Sequence, residues 1–179
     1  MKLILSGLLV LIFSSSAAGQ DFAGKSVEYF LAKSFVGLCA QTPPDFERIS
    51  AYARVSKLKQ VPKDVQKMTA PVDTSAVTNS WFIKLPKKKV GILASSHARA
   101  ADGKIISTCT HSASDVKIDK IINHLEKIIK CRFTVFSIEM GQKSISCAKE
   151  SFGEKLIVYI LYLNEKNVSP ITMAVAVTR

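Results

Sequence analysis

The sequence predicts an α+β domain, with N-terminal helices followed by a mainly antiparallel sheet of about seven strands and one central packing helix. Three observations predict it. Apolar residues recur with a helical period up to about residue 70. From Ser80 onward the period becomes two, with turn signals between the runs. A single strongly amphipathic segment interrupts the strands between Asp115 and Lys130.

The elements follow in chain order. Ser26 to Cys39 reads as a helix, with Val27, Leu31, Phe35, Leu38 and Cys39 on one stripe and Phe30 beside it. Pro43-Pro44 ends it, and Asp45 can cap a second helix carrying Phe46, Ile49, Tyr52 and Ala53 on one face. A short third helix starts at Pro62, a residue suited to a first turn, and stops before Pro71. Strands are expected over Ser80–Leu85, Val90–Ala98 and Lys104–His111. Pro86-Lys87-Lys88-Lys89 turns the first pair. Asp102-Gly103 turns the second as a two-residue hairpin loop, which would set Ser96 opposite Cys109, His97 opposite Thr108 and His111 opposite Ala94. Ser114 or Asp115 would cap the amphipathic helix, whose stripe is Ile118, Ile121, Ile122, Leu125, Ile128 and Ile129. Four more strands follow: Phe133–Glu139, Lys143–Lys149, Lys155–Leu163 and Ile171–Thr178. Leu156 to Leu163 is apolar on both faces, as in a strand covered on both sides. Short connections favour antiparallel meanders.

The first nineteen residues read as an address. Lys2 precedes an apolar run from Leu3 to Phe13 and a small-residue tail from Ser14 to Gly19, the three regions of a secretory signal cleaved near residues 18–19. Residues 20–179 then form one domain, helical over 25–70 and sheet-rich over 80–178. Export to the periplasm or the exterior changes the reading of the four cysteines. In an oxidising compartment they pair more readily than they bind metal. Three pairings are open; Cys39 with Cys109 and Cys131 with Cys147 is favoured, the first tying the helical half to the sheet. No close Cys-x-x-Cys spacing suggests zinc.

Chemical motifs are few. No phosphate loop, dinucleotide fingerprint, zinc-protease helix or calcium loop occurs, and no cofactor is expected. His97 and His111 lie on adjacent strands without a third ligand near, so no metal site is expected; His124 flanks the amphipathic helix. Ser95, Ser96 and His97 bring hydrolytic residue types together, but Ser96 and His97 point to opposite faces of a strand. No catalytic residue is assigned.

Charge is the strongest functional hint. The chain carries 25 basic and 14 acidic residues, a net +11, which becomes +10 once the leader and its Lys2 are removed. Such a balance favours anionic partners. Lys87, Lys88 and Lys89 crowd one turn, and Arg99 and Lys104 flank the next hairpin loop. These five are the candidate ligand-binding residues. Export and the lack of an aromatic-rich basic stripe argue against nucleic acid.

Phe30-Leu31, Phe35-Val36, Cys39-Ala40, Pro71-Val72-Asp73, Trp81 and Cys109 together resemble a family of small exported bacterial proteins and lipoproteins of unknown function, over roughly residues 28–125. The resemblance implies an exported domain with a Cys39–Cys109 link and no assigned activity. The chain departs from the lipoprotein members in lacking a cysteine at the cleavage site. The reading favoured by the sequence is an exported, non-enzymatic binding protein whose basic surface engages an anionic envelope component or an acidic protein. An exported inhibitor or immunity-type protein that blocks another protein's active site is the alternative, and a small hydrolase using Ser95 or Ser96 with His97 is the third.

Overall fold

Seven antiparallel strands form one sheet in the order β1-β2-β3-β7-β6-β5-β4. A computed structural model describes residues 26–69, 76–164 and 166–178. The expected signal peptide therefore lies outside the described residues. The strands are β1 (Val77–Lys84), β2 (Val90–Arg99), β3 (Ile105–Lys117), β4 (Thr134–Glu139), β5 (Gln142–Ser151), β6 (Glu154–Leu163) and β7 (Val168–Thr178). The chain lays down β1-β2-β3 as a meander and crosses to the far edge through a helix. It then returns through β4-β5-β6 to seat β7 beside β3.

The helices are α1 (Val27–Phe35), α2 (Phe46–Val55), α3 (Lys63–Thr69) and α4 (Ile118–Ile129). Ser26 caps α1 by accepting from the Tyr29 amide at 3.1 Å, and Asp45 caps α2 by accepting from the Arg48 amide at 2.6 Å. The helix expected to continue from α1 to Cys39 instead widens into a π-helical turn, Val36–Ala40, closed by the Gln41 amide on the Val36 carbonyl at 2.7 Å. Its carbonyls are satisfied from outside the helix. Arg48 donates to Leu38, Lys149 to Ala40 and the Ser151 hydroxyl to Gln41. The wider turn delivers Cys39 to Cys109 on β3, with Cα atoms 5.3 Å apart. Cys131, just past α4, bonds Cys147 on β5 at a Cα separation of 6.1 Å.

The core lies between the helices and one face of the sheet. That face carries Leu93, Cys109, His111, Met173, Val175, Val158, Ile160 and Cys147, all buried. From above it is closed by Leu31, Phe35, Ile49, Ile121 and Leu125. Gly91 is needed where β2 runs between β1 and β3, since a Cβ there would meet the Ser112 carbonyl oxygen at 2.8 Å.

Three expectations are corrected. The Asp102-Gly103 hairpin is a three-residue loop: Gly103 donates to Ala100, the Ala100 amide pairs with Lys104, and only Gly103 has positive φ (84°). The extra loop residue slips the register by one, so Ser95 faces Cys109, Ser96 faces Thr108, His97 faces Ser107 and His111 faces Leu93. Next, β3 runs on through Ser114 and Asp115 to Lys117, with a bulge at Asp115 (φ 53°), because Val116 and Lys117 continue to pair with β7. Lys117, not Ser114 or Asp115, therefore stands at the start of α4. Lastly, β6 is covered on one side only: Leu156, Val158 and Ile160 are buried, whereas Ile157 and Tyr159 are half-buried and Leu161 is exposed.

Candidate functional site

A cleft of about 740 Å³ opens between the helices and the β1 edge of the sheet. Phe30, Ser34 and Leu38 form its wall on the α1 side. Tyr52 on α2 and the following Ser56-Lys57-Leu58-Lys59 segment form a second wall. Phe82, Ile83 and Lys84 on β1, with Val90 at the start of β2, form the third, and His111 on β3 is the floor. The size suits a small molecule.

Local folding explains how the lysines reach the mouth. α2 ends in a Schellman motif, in which the Leu58 amide donates to Ala53 and the Lys57 amide to Arg54. That motif needs a left-handed residue, and Lys57 takes the role with φ 51° where glycine is the usual choice. The chain then runs along β1, with the Phe82 amide donating to Lys59 and the Val61 amide to Ser80. Lys57 and Lys59 are thereby held across from Lys84. All three are exposed, and no carboxylate lines the cleft among the described residues.

The floor is electrostatically the opposite. His111 is fully buried, and neither ring nitrogen has a hydrogen-bond partner among the described residues. Its neighbours are apolar: Leu93 and Met173 flank it in register, and Phe35 meets it edge-on at 5.9 Å. Burial pushes its pKa down to about 3, so the ring is neutral at physiological pH. The cleft thus offers apolar walls and a cationic rim above a neutral His111 whose ring nitrogens are closed off from it.

The five basic residues expected from sequence are not brought together. Lys87, Lys88 and Lys89 form the β1–β2 turn, a few residues from Lys84 and Val90 at the cleft mouth. Lys87 and Lys88 both have φ of 59°, as a type I′ turn requires. The Lys89 ammonium donates to the Asp115 carbonyl. Arg99 and Lys104 lie at the other end of β2, which at the usual strand rise is about 30 Å away. There Lys104 pairs with Asp102 at 2.8 Å and Arg99 reaches the Gly103 carbonyl at 3.4 Å.

Ser95 and Ser96 both turn to β3: Ser95 to the Thr108 carbonyl at 3.4 Å and Ser96 to the Thr108 hydroxyl at 2.5 Å. His97 stands edge-on to Phe46 at 4.6 Å, and His124 edge-on to Tyr29 at 5.4 Å. Each histidine is thus set against an aromatic ring of the N-terminal helical region. Among the described residues no group of three or more His, Cys, Asp or Glu side chains could hold a metal ion. No helix among them is long and apolar enough to cross a membrane.

Sequence reasoning missed Lys57, Lys59, Lys84 and the role of His111. Lys57 and Lys59 alternate around Leu58 just after a helix end, and Lys84 closes a strand, but nothing in the chain's order places them around one opening. Compared with protein-family models, curated proteins and solved structures, the chain matches none.

Proposed function

We propose that this is an exported binding protein whose ligand is an anionic amphiphile of the cell envelope, with its apolar body in the cleft and its charged end among Lys57, Lys59 and Lys84. The observation that carries this reading is the apolar cleft of about 740 Å³ with three lysines on its lining and no acid. The turn at Lys87–Lys89 extends the positive field beside the mouth. Two disulfides and the leader-like first nineteen residues support export, as does the resemblance to small exported bacterial proteins.

Titration calorimetry with decanoate, decanol and acetate tests the reading. Decanoate is expected to bind one-to-one and to weaken as ionic strength rises. Acetate lacks the apolar body and decanol lacks the charge, so both should bind more weakly. Absence of saturable decanoate binding, or binding no tighter than that of decanol, overturns it.

Side chains at two hairpin tips support a second reading, a protein that blocks a partner's active site. Met140 in the β4–β5 turn is 99% exposed and Phe152 in the β5–β6 turn is 78% exposed. Large apolar groups on protruding loops suit insertion into a pocket. This reading expects a stoichiometric complex with an envelope protein that is lost on Phe152→Ser or Met140→Ser. A complex indifferent to both substitutions contradicts it.

A further inference from the structure

We propose that a second, smaller pocket binds a short peptide with both termini free, its ammonium at Glu47 and its carboxylate at Arg54. The site shares no lining residue with the lysine-rimmed cleft and stands independently of it.

The pocket measures about 340 Å³ and lies between α2 and the β1 edge. Gln60 pairs with Trp81 across that edge, so their side chains share a face of the sheet. Asn79, two residues along β1, shares it too, and its side-chain amide reaches the Ser50 hydroxyl on α2 at 3.4 Å. From α2 come Glu47, Ser50 and Arg54, at i, i+3 and i+7 on one helical face. Seven residues of helix set the acid and the base about 10 Å apart along the axis. Both are exposed, and neither is in an ion pair among the described residues.

An acid in the first turn and a base in the last also suit the helix dipole, but the dipole asks nothing of the strand opposite. There Asn79 and Gln60 each present a carbonyl acceptor and N–H donors, the partners that a peptide unit's own N–H and C=O require. Trp81, 8% exposed, and Phe46, set edge-on to His97, supply apolar contact for a side chain. The order of charges selects the class. An anion alone would leave Glu47 facing it unanswered, and a cation alone would leave Arg54. A free amino acid carries both charges on one carbon and cannot span the pair. At about 3.3–3.6 Å per extended residue, three residues cover the distance.

Trp81 is the chain's single tryptophan, so its fluorescence reports on this pocket. Titration with trialanine should change it saturably, and the side-chain amide signals of Asn79 and Gln60 in nuclear magnetic resonance should move with the same midpoint. N-acetyl-trialanine and trialanine amide should each bind up to about fivefold more weakly, the effect of losing one exposed ion pair. The chain's net positive charge would by itself favour the acetylated peptide, the more anionic of the three, so this order separates the pocket from bulk attraction. Glu47→Gln should remove the preference for a free amine and keep that for a free carboxylate; Arg54→Gln should do the reverse. Both side chains are exposed, so both variants should fold. The inference is overturned if neither the fluorescence nor the amide signals respond saturably to trialanine. It is also overturned if the acetylated or amidated peptide binds as tightly as the free one, or if both preferences survive both substitutions. Because the two sites share no residue, failure of decanoate to bind the larger cleft leaves this inference standing, and failure of trialanine leaves the cleft reading standing.

Discussion

Two basic regions lie at opposite ends of β2, and they differ in what surrounds the charge. At one end Lys57, Lys59 and Lys84 ring an apolar cleft floored by neutral His111. At the other, Arg99 and Lys104 sit on a hairpin tip in water, where Lys104 is paired with Asp102 and Arg99 reaches a loop carbonyl. Charges in open solvent are screened and weakly coupled to anything. The same charges beside a low-dielectric volume act over longer range, and the volume itself supplies apolar contact. A surplus of lysine is therefore not a site until the fold sets it against an apolar cavity.

The largest way to break the comparison is through pH. His111 has its pKa lowered to about 3 in the folded chain and near 6.5 when unfolded, so below pH 6.5 the unfolded state binds the extra proton. Stability should fall as pH drops from 6.5 toward 3, by roughly 5 kcal/mol over the whole window. Denaturant unfolding of wild type and His111→Leu across that range checks it. A wild-type slope that persists in the variant contradicts a neutral floor.

Disulfide removal comes next. Replacing Cys39 and Cys109 with alanine opens a loop with a sequence separation of 70 residues and should cost about 4 kcal/mol. Replacing Cys131 and Cys147 opens a separation of 16 and should cost about 3 kcal/mol. Only the first bond anchors the π-turn beside the cleft, so among folded variants only its loss should weaken decanoate binding.

Charge removal sharpens the contrast directly. Changing Lys57, Lys59 and Lys84 together to glutamine should weaken decanoate binding about tenfold, at up to ~1 kcal/mol per exposed charge. Changing Arg99 and Lys104 to glutamine should leave it within twofold. Equal losses from both sets would mean that net charge, not the cleft, governs binding.

The smallest effect concerns one backbone angle. Lys57→Gly relieves a left-handed lysine and should stabilise the fold by about 0.5–1 kcal/mol. It also removes one rim charge and should weaken binding about two- to fivefold. A variant that is more stable yet binds less well would show that the strained position serves the site.

Much of the sheet was legible because several strands alternate strongly between turn residues, as in Ile171-Met173-Val175-Val177. The hairpin register was not. Asp-Gly serves both two- and three-residue loops, and one residue of loop length moves every partner between β2 and β3. The π-turn was hidden because Phe35, Leu38 and Cys39 fit a continuous helical stripe equally well. The basic turn at Lys87–Lys89 was visible as a run, but the rim was not, since Lys57 and Lys84 come from different elements. In sequence His111 reads only as a strand neighbour of His97 with no third ligand near. Its character comes from burial under Phe35 and the absence of a partner, neither of which a linear pattern records.

The most direct measurement is a crystal structure of the protein grown with decanoate. The account predicts one acyl chain lying between α1 and β1, with its carboxylate among Lys57, Lys59 and Lys84 and its tail directed at His111. A carboxylate bound instead at Arg99 and Lys104, or a cleft closed by its own side chains while decanoate binds elsewhere, would contradict it.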